Sequence, residues 1–312
     1  MVPRLERVSG VFEGFATIAV VIGCGMLLAH LRVVDVAGQR TLSAVAFYLA
    51  SPALLFTVLL DSDLGRVFSG NVVAIIGGVV VTAAITITVA ALRRQDLGRS
   101  VVATLCSSYC NAGNLGLPIA VYVLGDAALI APVLLLQLLV LQPLALAVLD
   151  VAVSPVRQSP LRLLSRPLRN PITVGSLAGL LVALSGIEVP RAVEDPLALI
   201  GGMAVPAMLV AYGVALRLGP LPGRGVPAGE LGLTVTLKLV VQPVVAYLVG
   251  RLIGLDDASL LAVTVISALP TAQNVFVIAT RYDRGTLLAR DAIFVSTLGC
   301  VPAVLVAVAL LA

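Results

Sequence analysis

A polar run that breaks helices interrupts a long apolar stretch of this chain. The stretch, residues 100–125, carries no charge, and Asn111-Ala-Gly-Asn-Leu-Gly-Leu-Pro118 lies at its middle. Lipid offers no hydrogen-bond partner to freed backbone groups, so a break at membrane depth is tolerated only where protein or a water-filled cavity satisfies those groups. Breaks of this kind mark binding sites within membranes. The candidate site residues of this run are Asn111, Gly113, Asn114 and Pro118.

Composition places the break inside a membrane protein. Of the residues, 60% are apolar and 12% are charged, and the mean hydropathy is +1.11, far outside the range of soluble chains. The apolar runs predict an all-α fold with ten transmembrane segments. Their bounds are approximately 11–31, 41–60, 68–92, 100–124, 127–149, 171–187, 195–216, 229–250, 258–280 and 289–311.

The basic residues predict an orientation. With ten segments, the connections after the odd-numbered segments contain 14 of the 20 Lys and Arg residues, and the opposite side contains five. By the positive-inside rule, those connections face the cytoplasm and both termini lie outside. We expect a multi-pass protein of the cell membrane with a cytoplasmic linker at residues 152–170. Because the basic residues are topology signals beside spans, the net charge of +4 does not indicate a nucleic-acid partner.

The two halves of the chain resemble each other. A shift of 159 residues aligns Ser100–Asn114 with Ser259–Gln273 without a gap, and a shift of 154 aligns Pro52-Ala with Pro206-Ala. Matches in the same order predict five helices repeated twice. Since five is odd, the second copy enters the membrane with opposite orientation, and inverted repeats are typical of transporters. The predicted repeats are residues 1–151 and 171–312.

The repeat supplies a second break, Pro270-Thr-Ala-Gln-Asn274, at the middle of segment nine. In an inverted pair, segments four and nine cross near the bilayer midplane, so half-helix N-termini from both segments meet. Such ends carry partial positive charge and unpaired N–H groups that attract anions. The alternative is that the amides only satisfy the broken backbone. The candidate site residues of this break are Pro270, Thr271, Gln273 and Asn274.

Lys238 is the only lysine of the chain and the only clear charge in the interior of a segment. An intramembrane cation is costly unless it meets water, a partner or a substrate. Lysine can also snorkel along its helix toward the headgroups. Both interpretations of Lys238, snorkelling and a functional role, therefore stay open.

The acids bear on energetics. All sixteen Asp and Glu lie at segment ends or in connections, so we expect no buried acid that carries a proton or binds sodium with a full charge. Cys106 and Cys110 share a helix face without a nearby His, Asp or Glu, so no metal site is predicted.

An anion that leaves a cell with a negative interior is driven outward by about 2.3 kcal/mol per charge at 100 mV. Potential-driven efflux is the expected mechanism, ahead of sodium binding at the crossing and of proton transfer by Lys238.

These motifs resemble the auxin efflux carrier family, whose bacterial members include carriers assigned to malate and malonate. The most specific match is Asn111–Ile119 in segment four. Further matches are Pro52-Ala, Pro206-Ala, Lys238-Leu-Val-Val-Gln-Pro243 and Pro270–Asn274. The resemblance therefore spans the whole chain.

The resemblance implies a fold similar to bile-acid symporters and sodium/proton antiporters. It implies an elevator in which segments 1, 2, 6 and 7 form a scaffold and segments 3–5 and 8–10 form a transport domain. PIN-type relatives dimerise through the scaffold, so a homodimer is expected. In those carriers a lysine at the position of Lys238 lies in a support site with a glutamine, which Gln137 matches. Their acid in the third helix has no counterpart here, where segment three has only Asn71 near its start.

Three functional classes remain open. The first is an alternating-access carrier for a small organic anion, such as a mono- or dicarboxylate or an auxin-like acid. We expect no cofactor, and a sodium ion at the crossing is the alternative. A sodium- or proton-coupled symporter is the variant of this class. An enzyme is not expected, because no His–Asp, paired-carboxylate or Gly-x-Ser-x-Gly constellation is present. The third class is a receptor that binds a ligand at the breaks without transport.

Overall fold

The chain folds into helices, as its composition predicts. The computed structural model describes residues 4–60, 70–116, 119–153, 170–187 and 189–311. The described residues contain no β-strand, and six of their helices are long and apolar enough to cross a membrane. The predicted site residue Pro118 and residues 154–169 of the predicted linker lie outside the described residues.

We number the main described helices along the chain. They are α1 (Arg4–His30), α2 (Val36–Leu60), α3 (Gly70–Leu92), α4 (Leu97–Ser108), α5 (Pro132–Ala152), α6 (Pro171–Ser185), α7 (Arg191–Leu218), α8 (Ala228–Leu252), α9 (Asp257–Ser267), α10 (Asn274–Tyr282) and α11 (Thr286–Leu311). Short helical turns between α4 and α5 cover Ala112–Gly116, Ala120–Leu124 and Ala127–Ile130. Segments one to three, five to eight and ten each correspond to one helix, and segments four and nine are both broken where predicted.

Aspartates begin several helices. Asp35, Asp96 and Asp256 accept hydrogen bonds from backbone N–H groups three residues on, at 2.8, 3.0 and 2.9 Å. Each cap satisfies an N–H group that a helix start leaves unpaired. Hydrogen bonds from the side chain and backbone of Ser259 lower the pKa of the Asp256 carboxyl. The caps explain why α2, α4 and α9 begin where they do.

Proline widens three helices locally. A proline has no N–H, and its ring clashes with the carbonyl four residues back, so the preceding turn opens to a π-helical turn. In α8, for example, the N–H of Gln242 bonds to the carbonyl of Leu237, five residues back. The three turns are Ala46–Ala50 before Pro52, Gln137–Leu141 before Pro143, and Leu237–Val241 before Pro243.

The helices pack in two groups. In the first group α1 lies along α7, and α2 lies along both α6 and α7. In the second group α3 packs against α4, α8 and α9, α5 packs against α4, and α11 packs against α8, α9 and α10. The contacts recur when the halves of the chain are exchanged. The pair α1–α7 corresponds to α6–α2, and the pair α3–α4 corresponds to α8–α9.

Glycines allow the close approach of helices in the first group. A Cβ atom on Gly25 of α1 or on Gly213 of α7 would overlap a backbone carbonyl of the opposite helix. A Cβ atom on Gly175 or Gly179 of α6 would lie 2.5 or 2.6 Å from a backbone oxygen of α2. Both helix pairs therefore depend on positions without side chains.

Among the described residues, Glu230 and Asp291 are buried, each at or near the start of a helix. The Asp291 carboxylate in α11 accepts hydrogen bonds from Arg290 Nε at 2.7 Å and from the N–H of Gly223 at 2.8 Å. Glu230 at the start of α8 accepts two hydrogen bonds from the Arg99 guanidinium, at 2.6 and 3.1 Å. Sequence spacing did not reveal these partners. A buried carboxylate persists here because an arginine pairs with it.

Substitution of Gly213 tests the packing of α1 against α7. We expect Gly213→Ala to destabilise the protein by about 1–3 kcal/mol, because the new methyl group forces the two helices apart. Gly202→Ala in the same helix is the control, since a Cβ atom there meets nothing within 4 Å. Thermal unfolding in detergent measures both variants. Equal melting temperatures for the two would contradict the packing argument.

Candidate functional site

The two breaks cross and pair with each other. The N–H of Asn111 donates to the carbonyl of Pro270 at 2.8 Å, and the N–H of Ala272 donates to the carbonyl of Tyr109 at 3.3 Å. These bonds form an isolated antiparallel bridge between otherwise helical segments. Each break thus satisfies backbone groups that the other frees, which is the condition for irregular backbone at membrane depth.

Side-chain hydrogen bonds also join the two breaks. Asn111 Nδ2 donates to Gln273 Oε1 at 2.7 Å, and Thr271 Oγ1 donates to the carbonyl of Cys106 at 2.6 Å. Asn111 directly precedes the turn that starts at Ala112, and Gln273 directly precedes α10. The start of the turn Ala112–Gly116 and the start of α10 therefore lie side by side.

A cavity of about 320 Å³ lies beside the crossing. This volume is within the range of small-molecule sites. One wall comes from the crossing and α5 and is rich in amides; α2, α6 and α7 contribute a wall that is apolar except for Ser51. The polar residues of the first wall are Tyr109, Asn111, Gln137, Gln142, Gln273 and Asn274. The apolar residues of the second are Phe47, Leu54, Leu55, Val58, Ile172, Val205 and Met208.

The amide wall contains a hydrogen-bond network. Tyr109 Oη donates to Gln142 Oε1 at 2.9 Å. Asn274 Nδ2 donates to the same oxygen at 3.1 Å and lies 3.4 Å from Tyr109 Oη. All described residues that line the cavity are uncharged. The wall can therefore offer neutral N–H and O–H donors, and the N-terminal end of α10 adds partial positive charge.

Lys238 lies behind the crossing and is fully buried. Its Nζ donates to Gln242 Oε1 at 2.7 Å and to the carbonyl of Ser267 at 2.8 Å. Gln242 Nε2 in turn donates to the carbonyl of Ser108 at 3.1 Å. Ser108 and Ser267 are the last residues of α4 and α9, whose C-terminal ends carry partial negative charge. The side chain does not snorkel; with Gln242, it satisfies the carbonyl ends of both broken helices.

Gln137 contacts Cys110 at the crossing. Gln137 Nε2 lies 2.9 Å from Cys110 Sγ. The glutamine that contacts Lys238 directly is Gln242 of the same helix. Gln137 faces the cavity. Its proposed part in a support site with Lys238 stays a prediction.

The structure brings most of the predicted site residues together. Asn111, Gly113, Gln273 and Asn274 line the cavity, while Pro270 and Thr271 contribute to the crossing. Asn114 belongs to the turn Ala112–Gly116, but its side chain lies outside the described residues.

Sequence reasoning missed Tyr109, Gln142 and Gln242 as site residues. Gln142 and Gln242 each precede a proline within an apolar segment. A polar residue in the interior of a membrane segment is a functional signal in its own right. That signal, together with the repeated Gln-Pro pair, was sufficient to single out both glutamines.

Metal-binding side chains do not cluster in the described part of the chain. No group of three His, Cys, Asp or Glu residues could hold an ion there. A sodium ion at the crossing, the second-ranked mechanism, would therefore depend on amide and carbonyl oxygens, which are hard ligands but carry no full charge.

A family model places the chain among known proteins. The model described as membrane transport protein (Mem_trans) matches residues 10–152 and 150–308. The chain belongs to this family of transporters. It is the auxin efflux carrier family that the motifs predicted. The protein is therefore a member of a membrane transport family, with a bilayer context and a small-molecule substrate.

Two relatives cover almost the whole transporter. A protein of Rhizobium meliloti (strain 1021) named "Putative malonate transporter" is 29% identical over 277 residues, 86% of either chain. A protein of Methanothermobacter thermautotrophicus (strain Delta H) named "Uncharacterized transporter" is 24% identical over 292 residues, which are 93% of this chain and 94% of that protein. Neither is similar enough to transfer a substrate.

Replacement of Lys238 tests its structural role in this transporter. Lys238→Met removes the donor to Gln242 and Ser267, and we expect a loss of about 1–3 kcal/mol for each buried acceptor left unpaired. Arg251→Met is the control, because it removes an exposed cation from the same helix and should change stability by less than about 0.5 kcal/mol. Thermal unfolding in detergent is the measurement. If Lys238→Met melts with the wild type, the crossing does not depend on this cation.

Proposed function

We propose that the protein carries a small organic anion across the membrane by alternating access. The observation that carries the proposal is the cavity, which joins a wall of neutral amide donors at a crossing of broken helices to an apolar wall from another helix group. Hydrogen bonds to a charged group are stronger than those to neutral groups, so amides and a helix N-terminus can hold a carboxylate without a cation.

Membership of a transport family supports movement of the ligand over binding alone. The cavity lies between the two helix groups, so a shift of one group against the other would change the side from which a ligand reaches it. Such a shift would break polar contacts between the groups. Asn170 at the start of α6 donates to Tyr282 Oη at 3.1 Å, and Tyr212 Oη of α7 donates to the carbonyl of Arg290 at 2.8 Å. Both contacts join the first group to the second.

The proposed mechanism is an elevator with inverted repeats. The exchange symmetry of the helix contacts supports two repeats of five helices, over residues 1–151 and 171–312. In this proposal α1, α2, α6 and α7 are the scaffold, and the remaining helices carry the crossing. The family resemblance implies a homodimer through the scaffold. The predicted orientation, with both termini outside, belongs to the same proposal.

The proposed driving force is the membrane potential. The described residues around the cavity are uncharged, so a bound anion would move its own charge across the membrane. A sodium- or proton-coupled symporter is the second candidate, because carbonyl and amide oxygens at the crossing suit a hard cation. A receptor without transport is the candidate of another class. Counterflow of labelled acid in proteoliposomes distinguishes a carrier from a receptor.

Substitutions at the crossing test the site. We expect Asn111→Ala and Asn274→Ala to lower counterflow of a transported acid by about 10–100-fold, since a hydrogen bond to a charged group contributes about 1.5–3 kcal/mol. Asn71→Ala is the matched control, because Asn71 lies at the start of α3, away from the residues that line the cavity. Monodispersity in detergent checks folding. Wild-type rates for both cavity variants would overturn the assignment.

An imposed potential tests the driving force. In proteoliposomes with a potassium diffusion potential of 100 mV, positive inside, a monovalent anion carried alone should accumulate about 50-fold, because the potential contributes about 2.3 kcal/mol per charge. Uptake of the labelled acid is followed without sodium or pH gradients. Accumulation that ignores the potential and needs a sodium or proton gradient would favour the symporter.

A further inference from the structure

We infer that the cavity selects acids with one carboxylate and an apolar remainder, and that the wall of α2, α6 and α7 is the element that excludes a second carboxylate. This inference rests on the proposed function, because it concerns the substrate of the same site. It also departs from the substrate in the name of the Rhizobium meliloti relative, since malonate is a dicarboxylate.

The two walls differ in what they can offer a carboxylate. Amide and hydroxyl donors come from the crossing and α5, through Asn111, Gln137, Gln273 and Asn274. Leu54, Val58, Val205 and Met208 stand among the aliphatic residues that face them from α2 and α7. Ser51 is the polar exception on the α2 side. An amphipathic monocarboxylate matches this division, with its anion toward the amides and its carbon chain toward the aliphatic side chains.

A long dicarboxylate cannot satisfy both of its ends in this cavity. With one carboxylate on the amides, the other lies against the aliphatic wall, where Ser51 is the polar residue among the described side chains. Burial of an unpaired charge is strongly unfavourable in proteins. The described residues around the cavity include no Lys, Arg or His that could pair with it.

A short dicarboxylate meets a different obstacle. Both carboxylates of a malonate-sized ligand can reach the amide wall, but two like charges then share neutral donors and repel each other. Lys238 is buried behind the crossing and already bonded to Gln242 and Ser267. It compensates the ends of α4 and α9, so it does not supply the second charge that a dianion needs.

Matched pairs of acids test the selection. Propionate against malonate and hexanoate against adipate compare equal carbon chains that differ by one carboxylate. At pH 7.5, well above the usual carboxyl pKa of about 4, all these carboxyls are ionised. We expect hexanoate to stabilise the purified protein in thermal-shift assays and to drive counterflow, with an apparent affinity at least about tenfold higher than that of adipate, since a buried unpaired charge costs more than the 1.4 kcal/mol that a factor of ten represents.

A cation placed on the apolar wall provides a gain-of-function test. Met208→Lys gives the second carboxylate a partner, and Met208→Gln is a control of similar length without charge. We expect Met208→Lys to raise the affinity for adipate relative to hexanoate by about tenfold or more, and Met208→Gln to leave that ratio on the side of hexanoate. Leu54→Lys with Leu54→Gln repeats the test from α2, which keeps it decisive if one lysine variant fails to fold.

The outcomes separate this inference from the function it rests on. Wild-type protein that takes dicarboxylates as well as or better than their monocarboxylate partners overturns the selection and leaves the organic-anion carrier intact. The same holds if lysine and glutamine variants shift the ratio equally at both positions. Failure of every acid to stabilise the protein or to drive counterflow overturns the proposed function, and the inference falls with it.

Discussion

The pairing of two broken backbones is the interaction on which the rest of the structure depends. A helix that stops in lipid leaves N–H and C=O groups with no partner. Here the bonds from Asn111 to Pro270 and from Ala272 to Tyr109 satisfy part of that demand for both breaks at once. Each break depends on the other for backbone hydrogen bonds, so the site in the first half of the chain requires the break in the second half.

The crossing also places the C-terminal ends and the N-terminal ends of the broken helices in different surroundings. The carbonyl groups at the C-terminal ends of α4 and α9 accept hydrogen bonds from Gln242 and Lys238. Asn111 and Gln273, which lie within the two breaks, line the cavity instead. A positive charge beside helix C-termini is favourable. Lys238 satisfies the carbonyl of Ser267, and Gln242 satisfies that of Ser108. Positive helix ends are thereby left toward the side where a carboxylate is proposed to bind. Lys238 lies at the negative ends and is not among the residues that line the cavity.

Local sequence signals predicted the breaks but not the network around them. Asn111, Gln273 and Asn274 could be identified because glycine, proline and amides stand out in an apolar segment. Gln142 and Tyr109 act through contacts with Asn274, 132 and 165 residues away, and such contacts depend on how the helices pack. Asp291 was expected near a segment end, but its burial depends on Gly223 from the loop before α8. A single sequence without tertiary contacts does not contain that information.

The neutrality of the cavity follows from what a carrier must do when it is empty. A cation inside the cavity would hold an anion more tightly, but it would be unpaired after release and costly to carry through the membrane. Binding must be strong enough to admit the substrate and weak enough to release it. The buried charges of the described chain instead have partners away from the cavity, as Arg290 has in Asp291 and Lys238 has in Gln242 and Ser267. In the proposed cycle the empty site therefore returns without an uncompensated charge, and the substrate alone responds to the membrane potential.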